Sequence, residues 1–153
     1  MIGEGDKAPG LKATASDGEA IDLAAPRTPL VLYFYPKDDT SGCTAEAQAF
    51  SALAGEFENA GTWLLGVSKD PAKSHAKFTD KYGLKVPLAS DNDGSVCEAF
   101  GTWIEKSMYG RKYMGIERAT FLVDRDGYIK RVWRKVKVAG HAEEVLEAAR
   151  ELP

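Results

Sequence analysis

The sequence predicts an α/β protein in which a mixed central sheet is flanked by helices, and three observations lead to this prediction. The apolar run 30–35 is typical of a strand that is buried on both faces. Strand-like and helix-like segments alternate along the chain from this run onward. No repeat, linker or low-complexity stretch interrupts the 153 residues, so we expect one domain over residues 1–153.

The first half of the chain is divided by turn signals and by changes of apolar period. Asp17-Gly18 is a turn signal within loosely alternating residues, which predicts a small hairpin over residues 11–23. After the central strand, apolar side chains recur at helical spacing over residues 43–59 and predict one continuous helix. The apolar run 63–68 then predicts the next strand.

The middle of the chain continues this alternation. Asp70-Pro71 places a cap residue before a proline, which is typical of a helix start, and Gly83 ends that helix. Residues 86–89 predict a short strand. Residues 93–100 predict a short helix that begins at an aspartate.

The C-terminal part predicts a hairpin and a last helix. Asp126-Gly127 lies between the β-rich runs 119–123 and 128–136 and is a strong hairpin signal. Residues 142–152 have helical spacing. The order of all these elements corresponds to a thioredoxin-like α/β arrangement with extra elements.

Residues 103–114 are rich in aromatic side chains and methionine. We expect most of this stretch to pack in the core or in a loop. Part of it is expected to line a ligand pocket or a partner surface.

Charge and cysteine content exclude several classes of protein. The chain has 20 basic and 23 acidic residues and a net charge of −3, which argues against nucleic-acid binding. Its two cysteines and two histidines lie far apart, so no metal site is expected. The chain begins without a secretory pattern and has no membrane-length apolar run, which predicts a cytoplasmic protein with reduced thiols.

Cys43 is the first candidate for chemistry, because it lies where the central strand leads through a polar loop into a helix. Free backbone N–H groups and the positive end of the helix dipole favour a thiolate at such a position. The polar residues of the loop argue against burial in an apolar core. Position alone leaves a reactive thiol and a buried structural cysteine as alternatives.

Four segments in register resemble the peroxiredoxins, the cysteine peroxidases, and among these the peroxiredoxin Q subfamily, also called bacterioferritin comigratory protein. They are Pro36-x-x-x-Thr40-x-x-Cys43 within Tyr-Pro-Lys-Asp-Asp-Thr-x-Gly-Cys-Thr, residues 5–9, residues 90–91 with 96–101, and residues 115–124. The resemblance covers nearly the whole chain. It implies a thioredoxin-like fold with a peroxiredoxin-type N-terminal hairpin and insertions. It also implies a cofactor-free, thiol-dependent peroxidase that reduces hydrogen peroxide and organic hydroperoxides.

The resemblance further implies a role for each residue of the motif. Cys43 resembles the peroxidatic cysteine, which attacks the peroxide and becomes a sulfenic acid. The hydroxyl of Thr40 resembles one that hydrogen-bonds the thiolate and the peroxide, and Pro36 resembles a residue that shields the thiolate from water. Arg118 resembles the arginine that stabilises the thiolate and holds the peroxide. Without the resemblance, Thr40 is a helix-capping or loop hydroxyl and Arg118 a solvated strand-end arginine.

The second cysteine does not lie where many peroxiredoxin Q members carry their resolving cysteine, because Gln48 occupies that position. Cys97 lies in a predicted short helix, where burial is the simpler interpretation. We therefore expect a monomeric, one-cysteine enzyme that uses an external thiol such as thioredoxin, glutaredoxin or glutathione. The alternatives are a Cys43–Cys97 disulfide and a non-enzymatic redox-sensing module.

Overall fold

The computed structural model describes residues 2–152, and a five-stranded mixed sheet lies at its centre. The elements are β1 (Lys12–Thr14), β2 (Ala20–Asp22), β3 (Leu30–Phe34), α1 (Ser41–Ala52), α2 (Ala54–Asn59), β4 (Trp63–Ser68), α3 (Ala72–Tyr82), β5 (Leu88–Ser90), α4 (Ser95–Ala99), β6 (Trp103–Met108), β7 (Arg111–Ile116), β8 (Ala119–Val123), β9 (Ile129–Trp133) and α5 (His141–Arg150). The central strand order is β5-β4-β3-β8-β9. Strands β3, β4 and β5 are parallel, and β8 is antiparallel to both of its neighbours. No helix within the described residues is long and apolar enough to span a membrane.

The predicted central strand is β3, and all of its side chains are buried. Successive side chains of a strand point to opposite faces. Leu30, Leu32 and Phe34 accordingly belong to one half of the core, whereas Val31 and Tyr33 belong to the other. Residues of the β1–β2 hairpin and α4 complete the first half, and residues of α1, α3 and α5 complete the second. The predicted mixed sheet flanked by helices is therefore confirmed.

The helix predicted over residues 43–59 is interrupted at Leu53, so it forms the two helices α1 and α2. Leu53 has a φ of −101° and a ψ of 5°, and its N–H donates to the carbonyl of Phe50, one residue short of the α-helical partner. Gly55 follows the break and has low helix propensity. Phe50 and Phe57 are both fully buried despite the interruption.

Strands β6 and β7 form a separate hairpin that the sequence analysis did not predict. Tyr109 and Gly110 at its tip both have positive φ, 51° and 78°, as a tight two-residue turn requires. This stretch was expected to pack in the core or in a loop, and packing in the core is wrong for its distal part, where Tyr109 is 98% exposed. The other exposed large hydrophobic side chains of the hairpin are Met108, Tyr113 and Met114.

The hairpin predicted around Asp126-Gly127 is confirmed as β8–β9, although β9 ends at Trp133. Gly127 has a φ of +91°, and a Cβ atom at this position would lie 1.9 Å from the carbonyl oxygen of Ala24. Only glycine fits this turn. The strand is shorter than predicted because the chain turns at Lys135, whose φ is 46°.

His141 begins α5 and is buried among aromatic rings. A hydrogen bond of 2.8 Å joins its Nε2 to Oγ1 of Thr120, and its ring lies edge-on to Phe50 and Trp133. Burial lowers the pKa of His141 to about 4, so the ring is neutral at pH 7 in the folded protein.

We expect His141 to destabilise the fold on acidification. In the unfolded chain its imidazole takes up a proton near its ordinary pKa of about 6.5. Because the folded-state pKa is about 4, the stability from the neutral ring is present above pH 6.5 and is lost as the pH falls towards 4. The advantage of the wild type over His141→Gln should therefore shrink by roughly 2 kcal/mol between about pH 7.5 and 4.5.

Urea unfolding of both proteins at the two pH values measures this change. The comparison with His141→Gln is needed because burial raises the pKa of Glu46 to about 7, which has the opposite effect on stability. A difference that does not change with pH would contradict the prediction.

Candidate active site

Cys43 lies in the first turn of α1, directly beyond the carboxyl end of β3, the edge of the sheet where α/β folds form their sites. Thr40 is the N-cap residue, and its carbonyl accepts the N–H of Thr44 at 2.8 Å. No acidic residue lies in the first turn of this helix. A negative charge on the sulfur would therefore have no competing carboxylate at the positive end of the helix dipole.

The side chain of Cys43 is buried, with 1% of its surface exposed. It belongs to the same half of the core as Tyr33 and Phe50. The expectation that the polar loop keeps this cysteine out of the core is therefore wrong. The loop residues Lys37 and Asp39 are exposed, but the inner face of α1 turns Cys43 towards the sheet.

Arg118 reaches the sulfur from a distant part of the sequence. It lies immediately before β8, and the antiparallel pairing of Ala119 with Phe34 brings it to the carboxyl end of β3. Its Nη2 donates to Sγ of Cys43 at 3.4 Å. A Cβ atom on Gly42 would lie 3.1 Å from this nitrogen, so glycine leaves room for the guanidinium. The structure therefore brings the two predicted residues together.

Glu46 is a member of the site that the sequence analysis missed. It lies three residues after Cys43, on the same face of α1, and is 1% exposed. Its Oε1 accepts a hydrogen bond of 2.7 Å from Nη1 of Arg118, and its Oε2 has no partner among the described residues. Burial raises the pKa of Glu46 to about 7, against the lowering effect of Arg118. The sequence pattern that could have predicted Glu46 as a site residue is an acidic residue one helical turn after the cysteine.

In Arg118, Nη1 is thereby bonded to the carboxylate of Glu46, while Nη2 faces the sulfur of Cys43. A guanidinium presents fixed donors in a plane, so the bond to Glu46 also orients the donor that faces Cys43. Lys106 of the β6–β7 hairpin adds further positive charge near this point. Burial lowers the pKa of Lys106, and the charge of Arg118 lowers it further.

Thr40 and Pro36 lie in the loop before the cysteine. Oγ1 of Thr40 donates to the carbonyl of Lys37 at 3.0 Å and makes no capping hydrogen bond to the helix. Pro36 is half-buried where the chain leaves the sheet. Thr40 thus has the backbone position of a helix cap, while its hydroxyl is used within the loop.

A buried polar cluster lies on the other side of this loop. Asp38, Asp70 and His75 could offer three metal-ligand atoms within 4.8 Å of one another, and they are the one such group among residues 2–152. Asp38 accepts hydrogen bonds from Tyr35 and Ser74 and contacts His75, while Asp70 accepts the N–H of Asp38. The three residues therefore form a hydrogen-bonded network. A metal ion could bind here only by displacing these hydrogen bonds.

Cys97 lies on the opposite face of the sheet from Cys43. It packs in the half of the core that contains Leu32 and Phe34, whereas Cys43 packs in the other half. Burial raises the pKa of the Cys97 thiol well above its ordinary value. Both cysteines are free thiols, and a bond between them would have to pass through the central sheet.

Comparison with known proteins relates this arrangement to a family. The AhpC/TSA family matches residues 4–132. A putative peroxiredoxin bcp of Coxiella burnetii is 47% identical over 143 residues, which cover 93% of this chain and 95% of that protein. A structure of Xanthomonas campestris peroxiredoxin Q has a TM-score of 0.85 and 50% identity, with 92% of this chain and 89% of that chain covered. A mutant PrxQ of Xylella fastidiosa has a TM-score of 0.89 and 41% identity, with 97% and 95% covered. These structures confirm the predicted thioredoxin-like fold.

Proposed function

We propose that Cys43 is the peroxidatic cysteine of this chain, which belongs to the AhpC/TSA family. The chain is a peroxiredoxin of the peroxiredoxin Q type, also called Bcp, and is therefore a thiol-dependent peroxidase. The observation that supports this assignment is the 3.4 Å hydrogen bond from Arg118 to Sγ of Cys43. It joins a permanently charged donor to a sulfur at a helix start. A peroxidase needs turnover, so the family assignment argues against a non-enzymatic redox sensor.

The first half-reaction breaks the O–O bond of the peroxide. The Cys43 thiolate attacks the terminal oxygen in line with this bond, and the electron pair of the bond leaves with the other oxygen. That oxygen takes a proton from water and departs as water or an alcohol. One thiolate, one hydroperoxide and one proton therefore give one sulfenic acid and one water or alcohol.

Arg118 serves this step in two ways. Its charge stabilises the thiolate, and its donors stabilise the negative charge that grows on the leaving oxygen. Glu46 is a positioning residue, because its bond to Nη1 fixes the plane of the guanidinium. No titration of Arg118 is required, since the guanidinium is always protonated at physiological pH.

Thr40 and Pro36 complete the proposed site. The Thr40 hydroxyl donates its hydrogen to the carbonyl oxygen of Lys37. The lone pairs of the Thr40 hydroxyl oxygen are therefore free to accept a hydrogen bond from the O–H of a bound peroxide. Pro36 covers the end of β3 without adding a backbone N–H that would need a partner. The resemblance implies that the Thr40 hydroxyl hydrogen-bonds the thiolate and the peroxide, and that Pro36 shields the thiolate from water.

The second half-reaction restores the thiol with an external reductant. A thiol attacks the sulfur of sulfenic Cys43, a mixed disulfide forms and water leaves. A second thiol then attacks the mixed disulfide, which releases Cys43 as a thiol and a disulfide of the reductant. The position of Cys97 across the sheet supports this one-cysteine scheme over an internal disulfide.

Trapping the oxidised cysteine tests the scheme. We expect one equivalent of hydrogen peroxide, added with dimedone, to give a single dimedone adduct on Cys43 in intact and peptide mass spectra. The Cys97→Ser variant should give the same adduct in the same yield. Loss of two hydrogens without trapping, abolished by Cys97→Ser, would establish the Cys43–Cys97 disulfide instead.

Substrate, assembly and location follow as parts of this proposal. We propose hydrogen peroxide and organic hydroperoxides as substrates, and thioredoxin, glutaredoxin or glutathione as the class of reductant. A similar Xanthomonas campestris protein, bacterioferritin comigratory protein, has alkyl peroxide reduction activity. All proposed site residues come from one chain, which fits a monomer, and two free thiols fit the reducing cytoplasm.

A further inference from the structure

The β6–β7 hairpin carries a surface that the peroxide chemistry does not explain. Four of the six large hydrophobic side chains that are exposed among residues 2–152 lie on it. Its base is anchored, because Ile116 is buried in the core and Trp103 packs against the same cluster. Each strand has six residues and so extends about 20 Å from base to tip. Exposed apolar side chains that are concentrated in this way mark an interaction surface.

The antiparallel register divides the hairpin into two faces. Directly paired residues lie on the same face, and successive pairs alternate between the faces. One face carries the pairs Lys106–Tyr113 and Met108–Arg111. Together with Ile104, these residues are called the site-side face.

The single acidic residue of the two strands lies on the opposite face. Glu105 pairs across the hairpin with Met114, and its carboxylate lies 3.8 Å from Nζ of Lys112. The site-side face therefore has two cations and no carboxylate, although the whole chain has a net charge of −3. A face that is both apolar and cationic is complementary to a partner that presents apolar and acidic groups.

Packing over Gly115 brings the site-side face close to the active site. A Cβ atom on Gly115 would lie 3.2 Å from Cδ of Lys106 and 3.5 Å from Cε2 of Tyr113, so both side chains lie over the base of the hairpin. Arg118 follows two residues after the end of β7. Burial lowers the pKa of Lys106, the charge of Arg118 lowers it further, and the charge of a Cys43 thiolate raises it. The site-side face therefore lies within electrostatic range of the reacting groups.

Size and charge decide which partner fits this surface. A small thiol bound at Cys43 would contact only the base of the hairpin, whereas the apolar side chains continue to the tip, where Tyr109 is 98% exposed. In a twofold dimer of this chain the patch would contact itself, so Lys106 and Arg111 of the two copies would meet like charges. A protein reductant meets both conditions, because it is large enough to reach the tip and can supply acidic groups.

We propose that the site-side face and the tip of the β6–β7 hairpin form the docking surface for a protein dithiol reductant whose contact surface is apolar and acidic. This rests on the proposed function, since the one-cysteine scheme takes its reductant from outside. One thiol of the docked protein attacks the sulfur of sulfenic Cys43, and water leaves. The second thiol of the same protein attacks the mixed disulfide, which closes the disulfide of the reductant and releases Cys43 as a thiol.

Two substitutions at the end of the hairpin test this surface, each with a matched control. Tyr109→Asn removes the most exposed ring and keeps the turn, because asparagine tolerates the φ of 51° and Asn-Gly is a favoured hairpin turn. Arg111→Glu reverses one charge of the site-side face. The controls Tyr128→Asn and Arg125→Glu lie at the β8–β9 turn, which the pairing of β8 with β3 places at the amino end of β3, away from the site.

The thiol step is measured from preformed Cys43 sulfenic acid with two reductants. Reduced thioredoxin is the protein dithiol, and dithiothreitol is a small neutral dithiol that needs no docking surface. The returned Cys43 thiol is alkylated at timed intervals and quantified by peptide mass spectrometry. The peroxide step is followed separately as single-turnover loss of the same thiol.

At low salt we expect thioredoxin to reduce the wild type at least about tenfold faster than dithiothreitol at equal concentration. Tyr109→Asn and Arg111→Glu should each lower the rate with thioredoxin by roughly fivefold to tenfold. The effect of Arg111→Glu should shrink at about 0.5 M salt, because the charges are then screened. The rates with dithiothreitol, the peroxide step and both control variants should stay within about twofold of the wild type.

Four results would overturn the docking surface. They are an equal loss with dithiothreitol, an equal loss in the control variants, an unchanged rate with thioredoxin in both hairpin variants, and no advantage of thioredoxin in the wild type. Wild-type dimers in sedimentation equilibrium that Tyr109→Asn dissociates would assign the surface to a second copy instead. A failure of the proposed function is distinguishable, because the wild type would then form no Cys43 sulfenic acid for either dithiol to reduce.

Discussion

Replacement of Cys43 by serine should abolish thiol-dependent peroxide turnover, with a loss of at least about a thousandfold in kcat/KM. A serine hydroxyl is not ionised near pH 7, and its oxygen is a poor nucleophile towards an O–O bond. The other contacts of the site remain, so peroxide can still bind without reacting. The loss of hydrogen peroxide, measured with excess dithiothreitol or reduced thioredoxin, tests this prediction.

Cys97→Ser is the matched control for that experiment. Cys97 lies across the sheet, is fully buried and donates its N–H to Asp91, a contact that serine can retain. We expect its turnover to stay within about twofold of the wild type, since it touches none of the reacting atoms. Retained turnover in Cys43→Ser would show that another group reduces the peroxide. A loss of turnover in folded Cys97→Ser would show that the second thiol takes part.

Arg118→Lys should lower kcat/KM for peroxide by about 10²-fold to 10³-fold, the cost of removing a donor that faces developing negative charge. Lysine keeps the positive charge but lacks the fixed, coplanar N–H donors of the guanidinium. It cannot at once bond Glu46 and point a second fixed donor at Cys43. The loss should appear in the peroxide step measured by single turnover and not in the later reaction with thiol.

The neighbouring pair of Arg134 and Glu117 supplies a control of the same chemical type. Arg134 donates to both carboxylate oxygens of Glu117 at 2.8 and 2.9 Å and is partly buried, as Arg118 is. Arg134→Lys should therefore lower stability and leave the peroxide step nearly unchanged. Equal rates of the peroxide step in Arg118→Lys and the wild type would rule out the proposed role of the Arg118 guanidinium.

Local signals were sufficient where neighbouring residues decide the structure. Asp17-Gly18 and Asp126-Gly127 mark tight turns through the conformational freedom of glycine, and both predicted hairpins are present. The central strand was recognisable because burial on both faces demands a continuous apolar run. The β6–β7 hairpin was missed, although the Tyr109-Gly110 pair at its tip was a local signal, because its many aromatic residues suggested burial.

Long-range contacts could not be predicted in this way. Arg118 and Cys43 are 75 positions apart, and only the antiparallel pairing of β8 with β3 brings them together. The resemblance to a family predicted the pair, whereas spacing and composition did not. Glu46 needed the orientation of α1, which turns its carboxylate towards Arg118, so it was missed as a member of the site.

The two cysteines show which properties of this protein are determined by its sequence and which by its tertiary structure. The sequence by itself determined the class of fold, the strand-to-helix junction at Cys43 and, through its motif, the chemistry of a peroxidase, because these depend on residue types and short-range order. Only the tertiary structure decided that Cys43 is buried and that Cys97 lies across the sheet. The physical reason is that alternate residues of a buried strand face opposite sides of a sheet, and which elements cover each side is decided by packing across the whole chain.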